Sequence, residues 1–311
     1  LIFLARLEFF TVVACYIAAP AIAAIAGLAQ LRKLVFHGFA FDAAFLKKLL
    51  LYSLPLLPFS LIGYFSGSYV DAVFIANFLS TRDLGVYAVA TQMNGIAIQF
   101  PTLATSLLIP FFVSLDKEGA ESKTQSYFAN ALPNLTLACG AVGTAAALAG
   151  YFLIPIVFGA QFRDAAVPFW ILVTSTVMAI PVLCGYAPLT HARSVTYIAA
   201  IVAALSASAN LGLNFLLIPL YGMAGCAWAT VLAYLVSSLG FAVFLRSRTK
   251  IPVSWVFFAA MPNLCGTVVF SWTGNVWMAI AVAFALFAAV LALRWRSVGA
   301  GIDIMKRLLR T

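Results

Sequence analysis

The sequence predicts an all-α, polytopic membrane protein of about nine transmembrane helices, and three features of its 311 residues predict it. Hydrophobic residues make up 64% of the chain and charged residues 9%, where a soluble domain carries roughly a quarter charged. Mean hydropathy is +1.07. The apolar runs are continuous and long enough to cross a bilayer as helices of about 20 residues, without the alternation of barrel strands. The basic residues fall in alternate loops, as they do in multi-span proteins.

Taken in order, the first span is Phe9 to Ala29, closed by Gln30, Arg32 and Lys33. The stretch "KLVFHGFAFDAAFLKKL" follows, with phenylalanines set among basic residues. It reads as an interfacial linker helix on the cytoplasmic leaflet. The second and third spans, Leu49 to Phe78 and Gly85 to Leu115, exceed one straight crossing, so each must tilt, bend or project. Pro55, Pro58, Pro101 and Pro110 offer bend points. Then come Ala129 to Ile154, Ala165 to Tyr186, Val195 to Ile218 and Met223 to Leu245. The last two are joined by "LLIPLYGMAGCAWAT", read as a four-residue turn, Pro219 to Gly222, with the small residues Ala224, Gly225 and Ala227 permitting close approach. Val253 to Trp272 and Val276 to Leu293 complete the set. The expected organisation is residues 1–31 as one helix, 32–48 as the linker, 49–250 as a six-helix lobe, 251–294 as two further helices and 295–311 as a basic tail.

Charge fixes the expected orientation. Arg32, Lys33, Lys47, Lys48, Lys117, Lys123, Arg193, Arg246, Arg248 and Lys250 share one side with Arg294, Arg296, Lys306, Arg307 and Arg310; only Arg6, Arg82 and Arg163 lie opposite. The positive-inside rule places the larger set and the C-terminus in the cytoplasm. The net charge of +9 is thereby a topology signal, and no basic patch interleaved with aromatics points to nucleic acid. The first residues fall outside. With Leu1 in place of Met and no signal-peptide pattern, the chain is expected to lack an odd number of leading helices.

Enzyme chemistry finds little support. His37 and His191 both fall on the cytoplasmic side, Asp116 and Glu118 sit in a charged loop with Lys117 and Lys123, and no Gly-rich phosphate loop is present. The outer loops are too short for a catalytic domain. Cys15, Cys139, Cys184, Cys226 and Cys265 lie in apolar runs without a CxxC pair, and read as small buried side chains rather than disulfides or a metal site.

Of nine acidic residues, Asp71 alone lies deep in a span, at a cost of about 2.5–3.5 kcal/mol. It is seven residues from the expected helix end at Phe78, about 10 Å below the outer surface at 1.5 Å per residue. Other polar groups share that depth. Asn210 and Asn214, spaced i, i+4, stack on one helix face. Thr230 lies one turn below Cys226. Gln92 and Asn94 of the third span reach the same level, with Gln99 further in. One carboxylate, two amide carbonyls, a hydroxyl and a backbone carbonyl make a hard-oxygen site suited to Na⁺, or to a proton on Asp71. The competing reading is interhelical hydrogen bonding for the amides and hydroxyl and a protonated structural carboxyl for Asp71. Gln92, Asn94 and Gln99 are candidates for a substrate-cavity wall, with the same structural alternative. No cofactor beyond a coupling Na⁺ or H⁺ is expected.

Three stretches carry a family resemblance. "LLLYSLPLLPFSLIGYFSGSYVDAVFIANFLSTRDLGVYAVATQ" resembles the seventh and eighth helices of bacterial polysaccharide-unit flippases of the O-antigen (Wzx) type, "FGAQFRDAAVPFWIL" their connection between helices nine and ten, and "ANLGLNFLLIPLYGMAGCAWATVLAYL" their helices eleven and twelve. These belong to the superfamily of multidrug (MATE), oligosaccharidyl-lipid and polysaccharide exporters. The resemblance implies a fold of two six-helix lobes, of which residues 49–245 would be the second, with the helix before it the last of the first lobe. It implies alternating access around a central cavity and translocation of an undecaprenyl-diphosphate-linked oligosaccharide (O-antigen, capsule or exopolysaccharide unit) across the bacterial inner membrane. Partners would be the lipid-linked substrate, the bilayer, and the polymerase and other assembly proteins. In the related lipid II flippases a Na⁺ site falls, by order and spacing, on Asp71, Asn210, Asn214, Cys226 and Thr230. Asn214 departs from the pattern, an amide where a carboxylate stands, and Ala72 replaces the Arg that often follows the Asp. The diphosphate's cationic partners are expected from the first lobe, so these 311 residues are not expected to transport alone. A cation-coupled drug exporter of the same fold and a lipid-linked sugar polymerase or ligase are the alternatives; the latter should carry a large outer loop with Arg and His, which the sequence does not show.

Overall fold

The apolar runs fold as helices in the computed structural model, which describes residues 9–35, 42–53, 68–248 and 254–308; among these there is no strand. The chain divides into two compact units, Leu1–Pro55 and Leu56–Thr311.

The first unit holds α1 (Phe9–Val35) and α2 (Ala43–Ser53). α1 is apolar on every side, with Ile17, Ile22, Ile25 and Leu28 more than half exposed, which suits a lipid surface. It runs past the expected span end, through Arg32 and Lys33. Asp42 starts α2 as a side-chain cap: its Oδ1 accepts the Ala44 and Phe45 N–H groups at 2.9 and 3.1 Å, satisfying donors the helix leaves unpaired. The expected linker is thus helical at both ends. Its middle, with Pro55 and Pro58 beyond, lies outside the described residues.

The second unit holds the remaining helices: α3 (Ser68–Phe78), α4 (Thr81–Lys117), α5 (Glu121–Val157), α6 (Ala160–Ala192), a long kinked element (Thr196–Arg248), α9 (Ser254–Thr273) and α10 (Val276–Leu308). The kink lies at Gly222, with φ 60° and ψ −139°, a conformation in practice open only to glycine. The arms on either side are α7 (196–221) and α8 (223–248). The expected four-residue turn is therefore one residue: Pro219 to Tyr221 stay helical. Among the described residues, six helical elements are long and apolar enough to cross a membrane, the kinked one counted once. The short α4 entry turn is fixed by a reciprocal cap, with Asp83 N–H donating to Ser80 Oγ at 3.2 Å and Ser80 N–H to Asp83 Oδ2 at 3.1 Å. At 37 residues, α4 is about 55 Å long and runs unbroken through Pro101 and Pro110. α10 likewise continues through the expected basic tail, because charged residues do not end a helix and no proline follows.

α6 is the central helix. Every residue from Pro168 to Pro181 is buried, enclosed by α4, α5, α9 and the α7–α8 hairpin; a helix apolar on all sides belongs in a core. Two π-helical turns, Tyr127–Ala131 in α5 and Val182–Tyr186 in α6, share a pattern: a proline, Pro133 or Pro188, stands two residues beyond each. Proline has no N–H to return to the preceding turn, so carbonyls are left over. Side chains fill them. Arg294 Nη2 donates to Ala129 O at 2.7 Å, Tyr127 Oη to Cys184 O at 2.6 Å, and Thr105 Oγ1 to Leu183 O at 2.7 Å. Each tie links two helices.

Polar pairs join the bundle elsewhere: Thr174 and Thr267 at 2.6 Å, Asn263 Nδ2 to Thr144 Oγ1 at 3.0 Å, and Ser238 Oγ to Met178 O at 3.1 Å. Such bonds contribute about 0.6 kcal/mol each on average within membranes. At the end holding the α4–α5 and α6–α7 turns, Arg193 pairs with Asp116 at 3.2 Å and with Glu121.

Packing is close at Gly150, where an added Cβ would lie 2.1 Å from Phe169 Cε1. Gly150→Ala is expected to destabilise the bundle by about 1–3 kcal/mol, read as a lower melting temperature in detergent. Phe169→Leu in the same chain should recover most of the loss.

Candidate functional site

The site is set by the Gly222 break. Gly225, three residues on, meets the end of α7 so closely that a Cβ there would lie 2.1 Å from Leu217 O and 2.5 Å from Leu217 C. With the arms held this near, polar residues of α7 face polar residues of α8. On α7, Asn210 and Asn214 share one face, and Asn214 Nδ2 donates to Asn210 Oδ1 at 3.1 Å. On α8, Thr230 Oγ1 donates to the Cys226 carbonyl one turn back at 3.3 Å.

α3 packs on this hairpin and inserts Asp71, 5% exposed. Asn214 Nδ2 donates to Asp71 Oδ1 at 2.9 Å. Thr230 Oγ1 reaches Asp71 Oδ2 at 3.5 Å, a long contact. The structure therefore brings Asp71, Asn210, Asn214, Cys226 and Thr230 into one cluster from three helices. Burial removes the carboxylate from water, and among the described residues no Lys or Arg forms an ion pair with it. Asn214 is 0% exposed and its Oδ1 has no hydrogen-bond partner. An unsatisfied buried acceptor beside a buried carboxylate is an arrangement that water or a cation would complete.

Among the described residues no group of three or more His, Cys, Asp or Glu comes together. The cluster's oxygen donors are one carboxylate, two amide oxygens, a backbone carbonyl and a hydroxyl, all hard, with the Cys226 thiol beside the carboxyl.

Tyr87 of α4 is the residue that sequence reasoning misses. Its hydroxyl donates to Asp71 Oδ2 at 3.2 Å, and the side chain is 2% exposed. A signal is present: Tyr87 lies about as far past the α3–α4 turn as Asp71 lies before it. A comparison of depths confined to amides and aliphatic hydroxyls passes over a phenol in an apolar run.

The expected cavity wall is not one surface. Gln92 and Gln99 are exposed on one face of α4, seven residues apart and so nearly in line. Asn94 points the other way. It is buried, and its Oδ1 accepts the Thr176 hydroxyl of α6 at 2.9 Å. This corrects the expectation for Asn94, which pins α4 to the central helix. The cause is angular, since residues two apart on a helix point to nearly opposite sides.

Comparison with known proteins gives two findings. The profile of the family described as "Polysaccharide biosynthesis protein" matches residues 7–167. The chain is also 27% identical over 194 residues to the "Probable low-salt glycan biosynthesis flippase Agl15" of Haloferax volcanii, a match covering 62% of this chain and 40% of that protein. The chain thus spans about 40% of the length of the curated relative it matches. No solved structure matches it.

Proposed function

The chain belongs to the polysaccharide biosynthesis protein family, and from that premise we propose that it serves as a flippase for an undecaprenyl-diphosphate-linked oligosaccharide. The substrate is an O-antigen, capsule or exopolysaccharide unit, carried from the cytoplasmic to the periplasmic face of the inner membrane. The basic loops and the C-terminus lie in the cytoplasm. α3 to α8 act as one lobe of a two-lobed transporter, exposing a central cavity to each side in turn. Gln92 and Gln99 line the cavity side of α4. The polymerase and other assembly proteins receive the product.

Transport is coupled to a monovalent cation, Na⁺ or a proton, held at Asp71. The observation that carries this reading is the pairing of a buried Asp71 carboxylate, without an ion pair among the described residues, with the unsatisfied Asn214 Oδ1. In the structure Asn214 Nδ2 bridges Asp71 Oδ1 and Asn210 Oδ1; turning that amide over would direct Oδ1 to the same point and complete a ring of oxygens. Amide nitrogen and oxygen exchange by such a turn at small cost in shape. A cation there draws α3 and both hairpin arms together, and biases one access state through its difference in affinity between states.

The test is genetic and chemical. In cells whose surface polysaccharide depends on this protein, its removal should leave lipid-linked oligosaccharide intact but confined to the cytoplasmic leaflet. Normal surface polysaccharide with no such accumulation contradicts the reading. A drug-susceptibility change without a polysaccharide defect would instead mark an exporter of small molecules.

A further inference from the structure

We infer that Tyr87 is a further residue of the cation site, a positioning residue that holds Asp71 by one oxygen and presents the other to the ion. The inference rests on the Na⁺ form of the coupling reading above. Asp71 Oδ2 accepts two hydroxyls, and the Cys226 thiol is also hydrogen-bonded to the carboxyl. Thr230 stands at 3.5 Å and already has the Cys226 carbonyl at 3.3 Å, so its hold on the carboxylate is weak. Tyr87 stands at 3.2 Å, and its ring is fixed in the core formed with Ile75, Ala90, Cys226 and Ala227. A ring so packed cannot follow the carboxylate about; the carboxylate must come to it. Oδ1 is then left on the side of Asn210 and Asn214.

The same bond has a mechanical consequence. α3 and the hairpin supply the oxygens; Tyr87 joins them to α4, the helix whose exposed face carries Gln92 and Gln99. Drawing Asp71 onto an ion therefore loads the Tyr87 hydrogen bond, and occupancy of the site is transmitted to α4 through that hydroxyl.

Tyr87→Phe removes one oxygen and keeps the ring, so the core stays filled. Thermal melting of the purified protein in detergent would be followed against NaCl, with choline chloride holding ionic strength constant. For Tyr87→Phe we expect the sodium midpoint to rise about tenfold, a change of about 1.4 kcal/mol, in addition to the lower melting in choline that loss of a buried hydrogen bond brings. A purely structural role predicts lower melting at every sodium concentration by one amount, with an unmoved midpoint. That outcome, with the wild type responding to sodium, overturns the Tyr87 assignment alone. A wild type that sodium does not stabilise overturns the sodium reading and the Tyr87 assignment with it.

Discussion

Asp71→Asn is expected to weaken sodium-dependent stabilisation about 100-fold and to reduce surface polysaccharide to the level of cells lacking the protein. The substitution keeps the shape; with its one oxygen at the Oδ2 position it still accepts from Thr230 and Tyr87, and Asn214 keeps a partner by turning its amide so that Oδ1 accepts the new N–H. It removes the single formal charge of the cluster. Hydrogen bonds to a charged group contribute about 1.5–3 kcal/mol where neutral ones contribute about 1, and the ion also loses its counter-charge, so the sodium midpoint should rise by about 100-fold, near 2.7 kcal/mol. Without sodium, Asp71→Asn should melt no lower than wild type, because a buried charge without an ion pair is itself costly. That combination distinguishes a ligand from a structural residue. An Asp71→Asn variant that melts lower in choline, yet responds normally to sodium, would assign Asp71 to the fold and not to an ion.

Gly225→Ala carries the second large effect. The added Cβ would fall 2.1 Å from the Leu217 carbonyl oxygen, and the atoms it meets are backbone. A side chain can turn aside; this carbonyl lies in the last turns of α7 and cannot move without opening the hairpin. The expected loss exceeds about 4 kcal/mol, the range reserved for gross steric or cavity defects, and should appear as protein missing from the membrane fraction. Whatever folds should not respond to sodium, since Asn210 and Asn214 on one arm would no longer face Cys226 and Thr230 on the other. Gly212→Ala is the control. It sits on the α7 arm with nothing within 4 Å of where the added methyl would stand, and should be neutral or slightly stabilising, as alanine is the better helix former by about 1 kcal/mol.

Much of this arrangement is legible in the sequence, for physical reasons that apply residue by residue. Hydropathy marks spans because an unpaired backbone cannot sit in lipid, so the long helices fall where apolar runs predict them. Asp71, Asn210, Asn214 and Thr230 can be collected by depth, since 1.5 Å per residue from a helix end is fixed geometry; Cys226 joins them through the family resemblance. Rotation about the helix axis is not fixed in that way. Depth groups Asn94 with Gln92 and Gln99, but packing of α4 on α6 turns it inward to Thr176. Tyr87 is hidden by its chemistry, because a tyrosine in an apolar run is ordinary core until its hydroxyl is seen to meet Asp71. The prolines are legible only in part. Pro133 and Pro188 announce missing N–H groups, but that Arg294, Thr105 and Tyr127 supply the replacement donors depends on contacts far apart in sequence. α10 runs past its expected end because charge in a tail sets sidedness rather than helix length.

The most direct test of the central claim, that a cation at Asp71 drives movement of a lipid-linked oligosaccharide, is translocation in proteoliposomes. Undecaprenyl-diphosphate oligosaccharide would be placed in one leaflet, and its appearance in the other followed by a lectin that cannot cross, with and without an imposed sodium or proton gradient. The account predicts that the complete two-lobed transporter, of which these residues form one lobe, accelerates translocation, that the gradient increases it further, and that Asp71→Asn removes the gradient's effect. Translocation that proceeds equally without a gradient, and equally in the Asp71→Asn variant, would contradict it.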